Sequence, residues 1–266
     1  MMNPTPEDIV TKIHGSAKYR TVWPSLIRRI AEQELAKKGN MKSTVKAVKK
    51  TLHQVAGAFF ERKMSFGRWA EELQQCEGLV ALKAHCKKLM QRHASTRERM
   101  GCFQEMYREI FTHTGPVTSI LDLGCGLNPL SLLWMPVEKD IRYEAFDIYI
   151  DQIDFLNSFF QIAGCNGEAY LCDISDRLPQ VEADVGLILK VLPLLDHLPD
   201  CDALYVLQQL RVRWLVVSYP VASLGGHKKG MTSNYAARFE DMVQHESWSL
   251  HKIIHPSELV YIIDKR

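Results

Sequence analysis

One short stretch constrains the fold of this 266-residue chain more than any other. An apolar run, Ser119–Leu123, leads into the pattern Asp-x-Gly-x-Gly that Asp122, Gly124 and Gly126 form. Such glycines let the backbone turn tightly and approach a ligand closely at the carboxyl end of a buried strand. The stretch therefore predicts a nucleoside pocket at the end of the first strand of a parallel sheet.

Acidic residues end the next two predicted strands. Asp147 lies 21 residues beyond Gly126, and Asp173 ends the third strand. Carboxylates accept hydrogen bonds, so Asp147 suits ribose hydroxyls and Asp173 suits an adenine amino group. Asp122 beside the glycine turn favours a cationic ligand without phosphate, whereas dinucleotide folds require Gly-x-Gly-x-x-Gly facing a pyrophosphate. The pattern thus predicts S-adenosylmethionine in preference to NAD. A turn with a capping aspartate is the alternative.

The pattern of residues changes abruptly after residue 111. Up to Phe111 the chain is poor in Gly and Pro and rich in helix-forming residues, and 112–116 is a helix stop followed by a turn. Short β-rich runs then alternate with helical stretches, which is typical of βαβ units in a parallel sheet. The predicted strands are Thr118–Leu123, Tyr143–Asp147, Glu168–Cys172, Val185–Leu189 and Trp214–Ser218, followed by Trp248–Ile254 and Leu259–Asp264 as an antiparallel hairpin. The chain is therefore expected to be α/β, with an all-helical domain at 1–113 and a sheet domain at 114–266.

Charge is distributed unevenly between these two parts. Residues 1–113 hold 21 Lys and Arg against 11 Asp and Glu, whereas residues 114–266 hold 12 against 20. Within the basic part, Val45, Val48, Leu52 and Val55 form an apolar stripe, and lysines occupy another face of the same helix at Lys42, Lys46, Lys49 and Lys50. The basic surplus predicts either a surface for a polyanion or an ordinary solvated helical face.

Several classes of protein are disfavoured. The chain contains no run of eighteen apolar residues, so no membrane span is predicted. The first eight residues do not resemble a signal peptide. The seven cysteines include no Cys-x-x-Cys pair for zinc and no disulfide framework. We therefore expect a cytoplasmic protein with reduced thiols and no bound metal.

Several longer strings in this chain resemble the 16S rRNA (guanine(1405)-N(7))-methyltransferases that confer aminoglycoside resistance. The similarity runs from about residue 13 to the end, and its most specific parts are His-Ala-Ser-Thr-x-Glu-Arg at 93–99 and Gly-Met-x-x-Asn-Tyr at 230–235. The other strings are Leu52-His53-Gln54, Gly57-Ala58-Phe59, Leu123–Leu130, Leu189–Leu195, Ser218-Tyr219-Pro220 and Ser223–Gly226.

The resemblance implies a class I (Rossmann-like) methyltransferase sheet preceded by a helical domain that docks on 16S rRNA in the 30S subunit. It implies that S-adenosylmethionine binds to residues carried over by matching position: Phe59, His93, Ala94, Ser95, Arg99, Gly124, Asp147, Asp173, Ile174 and Leu189. Arg99 can pair with the methionine carboxylate through two parallel hydrogen bonds, and Phe59 would cover the cofactor. One departure is Leu198, which stands near a position where members often carry Gln and cannot supply an amide.

Residues that position the target base are expected after the fourth and fifth strands. Lys190, Asn234 and Tyr235 are the candidates, and His227, Lys228 and Lys229 are expected to contact phosphate or form a lid. The first basic residues of the chain are expected to contact rRNA phosphates: Lys12, Lys18, Arg20, Arg28 and Arg29, with the lysine face at 42–50. No general base is expected, because guanine N7 offers a free lone pair.

Three alternatives remain at this point. The chain could be a methyltransferase of the same fold that acts on a small molecule or another base, including the adjacent-adenine N1 resistance enzymes. It could be a non-catalytic RNA-binding assembly factor. An NAD-dependent oxidoreductase is disfavoured by the missing third glycine.

Overall fold

The strands of the chain form one mixed sheet. The computed structural model describes residues 4–57, 59, 64–198, 201–221 and 230–266. Within them, the sheet has seven strands in the order β3-β2-β1-β4-β5-β7-β6. The first five strands run parallel to one another, and β7 runs antiparallel to both β5 and β6. The seven predicted strands and the closing hairpin are therefore confirmed. The bounds are β1 Ser119–Leu123, β2 Arg142–Asp147, β3 Gly167–Leu171, β4 Glu182–Leu189, β5 Arg211–Pro220, β6 Ser249–Ile254 and β7 Glu258–Asp264.

Helices precede the sheet and cover its faces. Their bounds are α1 Pro6–His14, α2 Pro24–Lys38, α3 Met41–Leu52, α4 Phe66–Gln74, α5 Gly78–Met90, α6 Ala94–Arg99, α7 Phe103–Thr114, α8 Ile150–Ala163, α9 Leu192–Leu195, α10 Ala203–Gln209 and α11 Met231–Val243. A π-helical turn, His53–Gly57, continues α3, and a 3-10 helix, Asn128–Trp134, follows β1. Helix α7 ends before Gly115 at a φ of 73°, which confirms the helix stop predicted at 112–116.

The two faces of the sheet belong to two different apolar cores. Consecutive residues of a strand point to opposite faces, so Ile120 and Leu121 pack into separate clusters, as do Val216 and Val217. Helices α4, α5, α7 and α8 cover one face, and α9, α10 and α11 cover the other. Because both faces are covered, the central strands are continuously apolar instead of alternating with polar residues.

Helices α1 to α3 build a third core of their own. The predicted stripe on α3 lies in it: Val48 and Leu52 are fully buried, and Val55 is nearly so. Tyr149, which follows β2, inserts into the same cluster. The helices α4, α5 and α7, by contrast, share their core with the sheet. The division of the chain at residues 113 and 114 stays a prediction.

Two backbone hydrogen bonds fix the first helices to the carboxyl end of β2. The Trp23 amide donates to the Ile148 carbonyl at 2.8 Å, and the Ile150 amide donates to the Thr21 carbonyl at 2.8 Å. Helix α2 begins directly afterwards, at Pro24. The N-terminal helices therefore sit beside the strand end that carries Asp147.

None of the described helices is long and apolar enough to cross a bilayer. All seven cysteines are free thiols.

Candidate active site

A cavity opens at the carboxyl ends of β1, β2 and β4. Nine of the ten residues that the resemblance assigned to the cofactor line it: Phe59, His93, Ser95, Arg99, Gly124, Asp147, Asp173, Ile174 and Leu189. These residues come from segments as far apart as 59 and 189, and the fold brings them to one place. Their contacts to a ligand stay predictions.

The glycine turn after β1 forms the floor of this cavity. Gly124 and Gly126 have φ values of +60° and +52°, a region that residues with a side chain rarely adopt. A Cβ atom at Gly124 would lie 2.7 Å from Val191, and one at Gly126 would lie 2.7 Å from the His93 ring. Both positions therefore require glycine for conformation and for space.

Asp147 is held against the turn by the backbone. Its Oδ2 accepts a hydrogen bond from the Gly126 amide at 2.8 Å, and its Oδ1 accepts one from the Ile148 amide at 2.7 Å. Burial raises the pKa of Asp147, while these hydrogen bonds oppose that rise. Oδ1 can still accept a second hydrogen bond, which suits a ribose hydroxyl, whereas Oδ2 also has the weak thiol donor of Cys125 at 4.0 Å.

Asp122 belongs to a buried hydrogen-bond network behind the turn. Its Oδ2 accepts from the Tyr143 hydroxyl at 2.6 Å and from the Asn128 amide at 3.0 Å. The Oδ1 atom of Asn128 in turn accepts from the Tyr107 hydroxyl at 2.5 Å. Burial raises the pKa of Asp122 to about 6, although hydrogen bonds from Tyr143 and Asn128 lower it. A positive charge bound in the cavity would favour the ionised carboxylate.

Arg99 is a buried cation of the site, with 1 % of its surface exposed. Its Nε donates to Glu258 Oε1 at 2.6 Å, and its Nη1 donates to Asn128 Oδ1 at 2.8 Å. Its Nη2 is buried without a hydrogen-bond partner among the described residues. Because a buried unsatisfied donor is unfavourable, this atom points to an acceptor that the ligand supplies, such as a carboxylate.

Lys190 also lines the cavity, but its ammonium group is engaged. Its Nζ lies 2.8 Å from Glu98 and 3.2 Å from Glu258. Lys190 has a φ of 62°, and it alone has a positive φ among the described residues that are not glycine. Such a backbone is strained and is typical of functional sites. Lys190 thus lies beside Arg99, and both pair with Glu258. Its role in positioning the target base stays a prediction.

His93 and Phe59 form one wall of the cavity. Their rings stack with centroids 5.8 Å apart and an interplanar angle of 23°. The Ala94 amide donates to the Phe59 carbonyl at 2.9 Å, so Ala94, which does not line the cavity, holds that wall in place. Burial, with the nearby charge of Arg99, lowers the pKa of His93 to about 3. The imidazole is therefore neutral near pH 7 and does not repel a cationic ligand.

The other two candidates for base positioning lie outside this cavity. Asn234 is exposed on α11, and Tyr235 stacks on Tyr219 at 4.9 Å in a separate pocket. That pocket also contains Pro193 and Arg238. The predicted lid residues His227, Lys228 and Lys229 lie outside the described residues.

Sequence reasoning missed Glu258, which is fully buried between Arg99 and Lys190. The Arg99 guanidinium and the Lys190 ammonium lower the pKa of Glu258, against the effect of its burial. Tyr107 and Tyr143 were missed as well. The available signal was weak: a glutamate that begins a strongly apolar run, Leu259–Ile263, is poorly placed for solvent.

The cavity combines opposite charges with apolar walls. Arg99 offers a donor for an anion, Asp122 and Asp147 offer acceptors, and the apolar lining includes Leu26, Val55, Ile174, Leu189 and Leu198. Leu198, which stands near a position where members of the family often carry glutamine, is thus part of an apolar wall. The residues suit a zwitterionic nucleoside with a carboxylate, a cation, a ribose and a flat base. Among the described residues, no cluster of His, Cys, Asp or Glu is arranged to hold a metal ion.

Comparison with known proteins identifies the relatives of this chain. The model of the family described as "Ribosomal RNA methyltransferase (FmrO)" matches residues 15–262. A 16S rRNA (guanine(1405)-N(7))-methyltransferase of Micromonospora echinospora is 33% identical over the full length of both chains. One of the same description from Serratia marcescens is 34% identical, over 97% of this chain and 98% of that relative.

A solved structure with a similar fold has a matching description. The crystal structure of the 16S rRNA methyltransferase RmtF in complex with S-adenosyl-L-homocysteine superposes with a TM-score of 0.85 at 28% identity, covering 100% of both chains.

Proposed function

Because the chain belongs to the FmrO family of ribosomal RNA methyltransferases, we propose that its sheet-edge cavity holds S-adenosylmethionine while the 30S subunit presents the target base. The enzyme transfers a methyl group from S-adenosylmethionine to N7 of guanine 1405 in 16S rRNA, which confers resistance to aminoglycosides. The main support for this proposal is the Nη2 atom of Arg99, which has no hydrogen-bond partner among the described residues and lies in a cavity that glycines and carboxylates line.

Each part of the cofactor has a group that suits it. S-adenosylmethionine supplies a methyl group on a positively charged sulfur, which makes the methyl carbon an electrophile. Arg99 binds the methionine carboxylate with help from Ser95, Asp122 favours the positive charge, and Asp147 accepts from the ribose. Asp173 and the backbone of Ile174 read the adenine.

The chain has little proton chemistry to perform. Guanine N7 carries a lone pair and no proton, so no side chain has to act as a base. Alignment of the two reactants supplies the acceleration, on the order of 7–11 kcal/mol in favourable cases. The neutral ring of His93 and the cover of Phe59 exclude water without adding charge. Lys190, Asn234 and Tyr235 are proposed to position the guanine, which must leave its stack.

The pKa of Asp122 gives a pH dependence to cofactor binding. Since this pKa lies near 6, the carboxyl group is largely neutral at lower pH and ionised at higher pH. A cationic ligand binds the ionised form better. We therefore expect the Kd for S-adenosylmethionine in calorimetry to rise by up to about tenfold per pH unit as the pH falls from about 6 to about 5.

The Asp122→Asn variant is the control for this dependence. It keeps the shape of the side chain but cannot ionise, so its affinity should be lower at pH 7 and nearly flat between about pH 5 and 7. A pH profile that Asp122→Asn leaves unchanged would assign the dependence to another group.

We propose that residues 1–113 dock on rRNA and that residues 114–266 carry the reaction. Lys42, Lys46 and Lys50 form an exposed row on α3 at spacings of four residues. Lys12, Lys18 and Arg20 are exposed as well, and Arg28 is exposed but pairs with Glu7. Arg29 differs from its prediction: it is mostly buried and pairs with Asp173, so it does not belong to the docking surface.

Loss of two lysines from this row is expected to weaken docking. The Lys46→Gln/Lys50→Gln variant should bind 30S subunits about tenfold more weakly, and the slope of log affinity against log salt should fall by about 2. Filter binding at several salt concentrations measures both. The matched control is Lys139→Gln/Arg211→Gln, which removes the same charge from exposed positions near the amino ends of β2 and β5, opposite the cavity. Equal losses in the two variants would contradict docking through α3.

The 30S requirement has a direct test. Purified enzyme is mixed with labelled S-adenosylmethionine and either assembled 30S subunits or free 16S rRNA. We expect incorporation into 30S subunits and at most a trace into free rRNA. Equal incorporation into both would show that the folded subunit is not needed.

A further inference from the structure

An ion pair joins the N-terminal helices to the wall of the cofactor cavity. The Nη2 atom of Arg29, on α2, lies 2.9 Å from Oδ2 of Asp173, which follows β3. The side chains are 19% and 7% exposed, so the pair is shielded from solvent. Arg29 also donates to the hydroxyl of Ser175. A mostly buried guanidinium in this position is oriented by its partners more strongly than a surface arginine.

The second oxygen of Asp173 is held from the other side. Its Oδ1 accepts from the Ser175 amide at 3.1 Å and from the Ser175 hydroxyl at 2.5 Å. With Arg29 on one oxygen and Ser175 on the other, the plane of the carboxylate is fixed. Because Asp173 lines the cavity, this fixed plane is presented to the ligand.

The backbone that carries Arg29 is itself anchored at the site. Trp23, which precedes α2, hydrogen-bonds to Ile148, the residue that follows Asp147. On α2, Leu26 lines the cavity, and Ile27 and Ile30 are buried in the core that also contains Tyr149. Helix α2 is thus fixed relative to both Asp147 and Asp173.

We propose that Arg29 is a positioning residue that makes Asp173 selective for the 6-amino group of adenine, so that the N-terminal helices set the base specificity of the cofactor site. This inference rests on the proposed function. An ionised carboxylate only accepts hydrogen bonds, so a fixed one accepts from a 6-amino group and repels the 6-oxo group of hypoxanthine. Without Arg29 the carboxylate can rotate, and a water molecule can bridge it to either group.

The test compares two nucleosides in calorimetry with the full chain: S-adenosyl-L-homocysteine and S-inosyl-L-homocysteine, which differ in this 6-substituent. Wild-type protein should prefer the adenosyl compound by about a hundredfold, and Arg29→Gln should reduce that preference to about tenfold or less. Arg28→Gln is the matched control, because Arg28 is the adjacent arginine, is exposed and pairs with Glu7 away from the cavity. It should keep the wild-type ratio.

The ratio of the two affinities separates positioning from general support of the fold. If Arg29→Gln weakens both nucleosides equally, or if wild-type protein shows no preference, the inference is overturned while the proposed function stands. Binding of neither nucleoside by wild-type protein would overturn the proposed function and the inference together. Arg29→Lys, which keeps the cation without the planar fork, is measured alongside in case Arg29→Gln unfolds, and an unchanged ratio in it overturns the inference as well.

Discussion

Replacing Arg99 by methionine is expected to raise the Kd for S-adenosylmethionine by about a hundredfold or more. The variant removes the buried Nη2 donor that has no partner among the described residues. It also leaves Glu258 with Lys190, 3.2 Å away, as its remaining cation. Breaking a buried ion pair on one side costs about 3–5 kcal/mol, so the free energy of unfolding should fall too. Calorimetry and chemical denaturation measure the two effects.

The loss of stability and the loss of binding can be separated. In Arg99→Met/Glu258→Gln the uncompensated carboxylate is gone, so we expect the double variant to recover part of the lost stability while it still fails to bind the cofactor. Arg108→Met is the control for the chemical change, because Arg108 is exposed on α7. Wild-type affinity in the stabilised double variant would contradict the role given to Arg99.

Replacing Gly126 by alanine should have the second largest effect. The added Cβ would lie 2.7 Å from Cε1 of His93 and 3.1 Å from its Nε2. His93 is buried and stacked against Phe59, so it has little room to retreat except into the cavity. We expect cofactor affinity and the rate of methyl transfer to fall by about a hundredfold, because small displacements of positioning groups reduce rates that strongly.

Gly164→Ala is a closely matched control for Gly126→Ala. Gly164 also has a positive φ, +62°, but a Cβ there meets no atom within 4 Å. Both variants should lose about 1–2 kcal/mol of stability from the left-handed backbone. Wild-type methyl transfer by Gly126→Ala, or equal losses in the two variants, would show that the close approach to His93 is unimportant.

The sheet could be predicted from the sequence because local patterns determine it. The parallel strands β1, β4 and β5 contain continuous apolar runs, β2 and β3 mix apolar with polar residues, and the hairpin is marked by the turn around Pro256. The ends of strands were less certain: β5 begins at Arg211 and not at Trp214, because backbone pairing with β4 continues past the apolar run. In the helical part, no pattern in the sequence indicated that α4, α5 and α7 would share the core of the sheet.

The site residues also fall into those that local patterns predict and those that only the fold brings together. Residues next to the glycine turn or inside a specific string were predicted, and nine of the ten cofactor residues line one cavity. Contacts between distant segments were not predictable. Glu258 meets Arg99 across 159 positions, and Arg29 meets Asp173 across 144. Arg29 was therefore interpreted as a surface cation, since its partner cannot be read from its neighbours in the chain.

The central claim, methylation of guanine 1405 at N7, is tested most directly by locating the methylated nucleotide in 16S rRNA. Assembled 30S subunits are incubated with the enzyme and labelled S-adenosylmethionine, and the modified nucleotide is located by mass analysis of 16S rRNA fragments. We predict about one methyl group per subunit, at N7 of guanine 1405, and none with Arg99→Met. A methyl group on another nucleotide, or no incorporation by well-folded enzyme, would contradict the account.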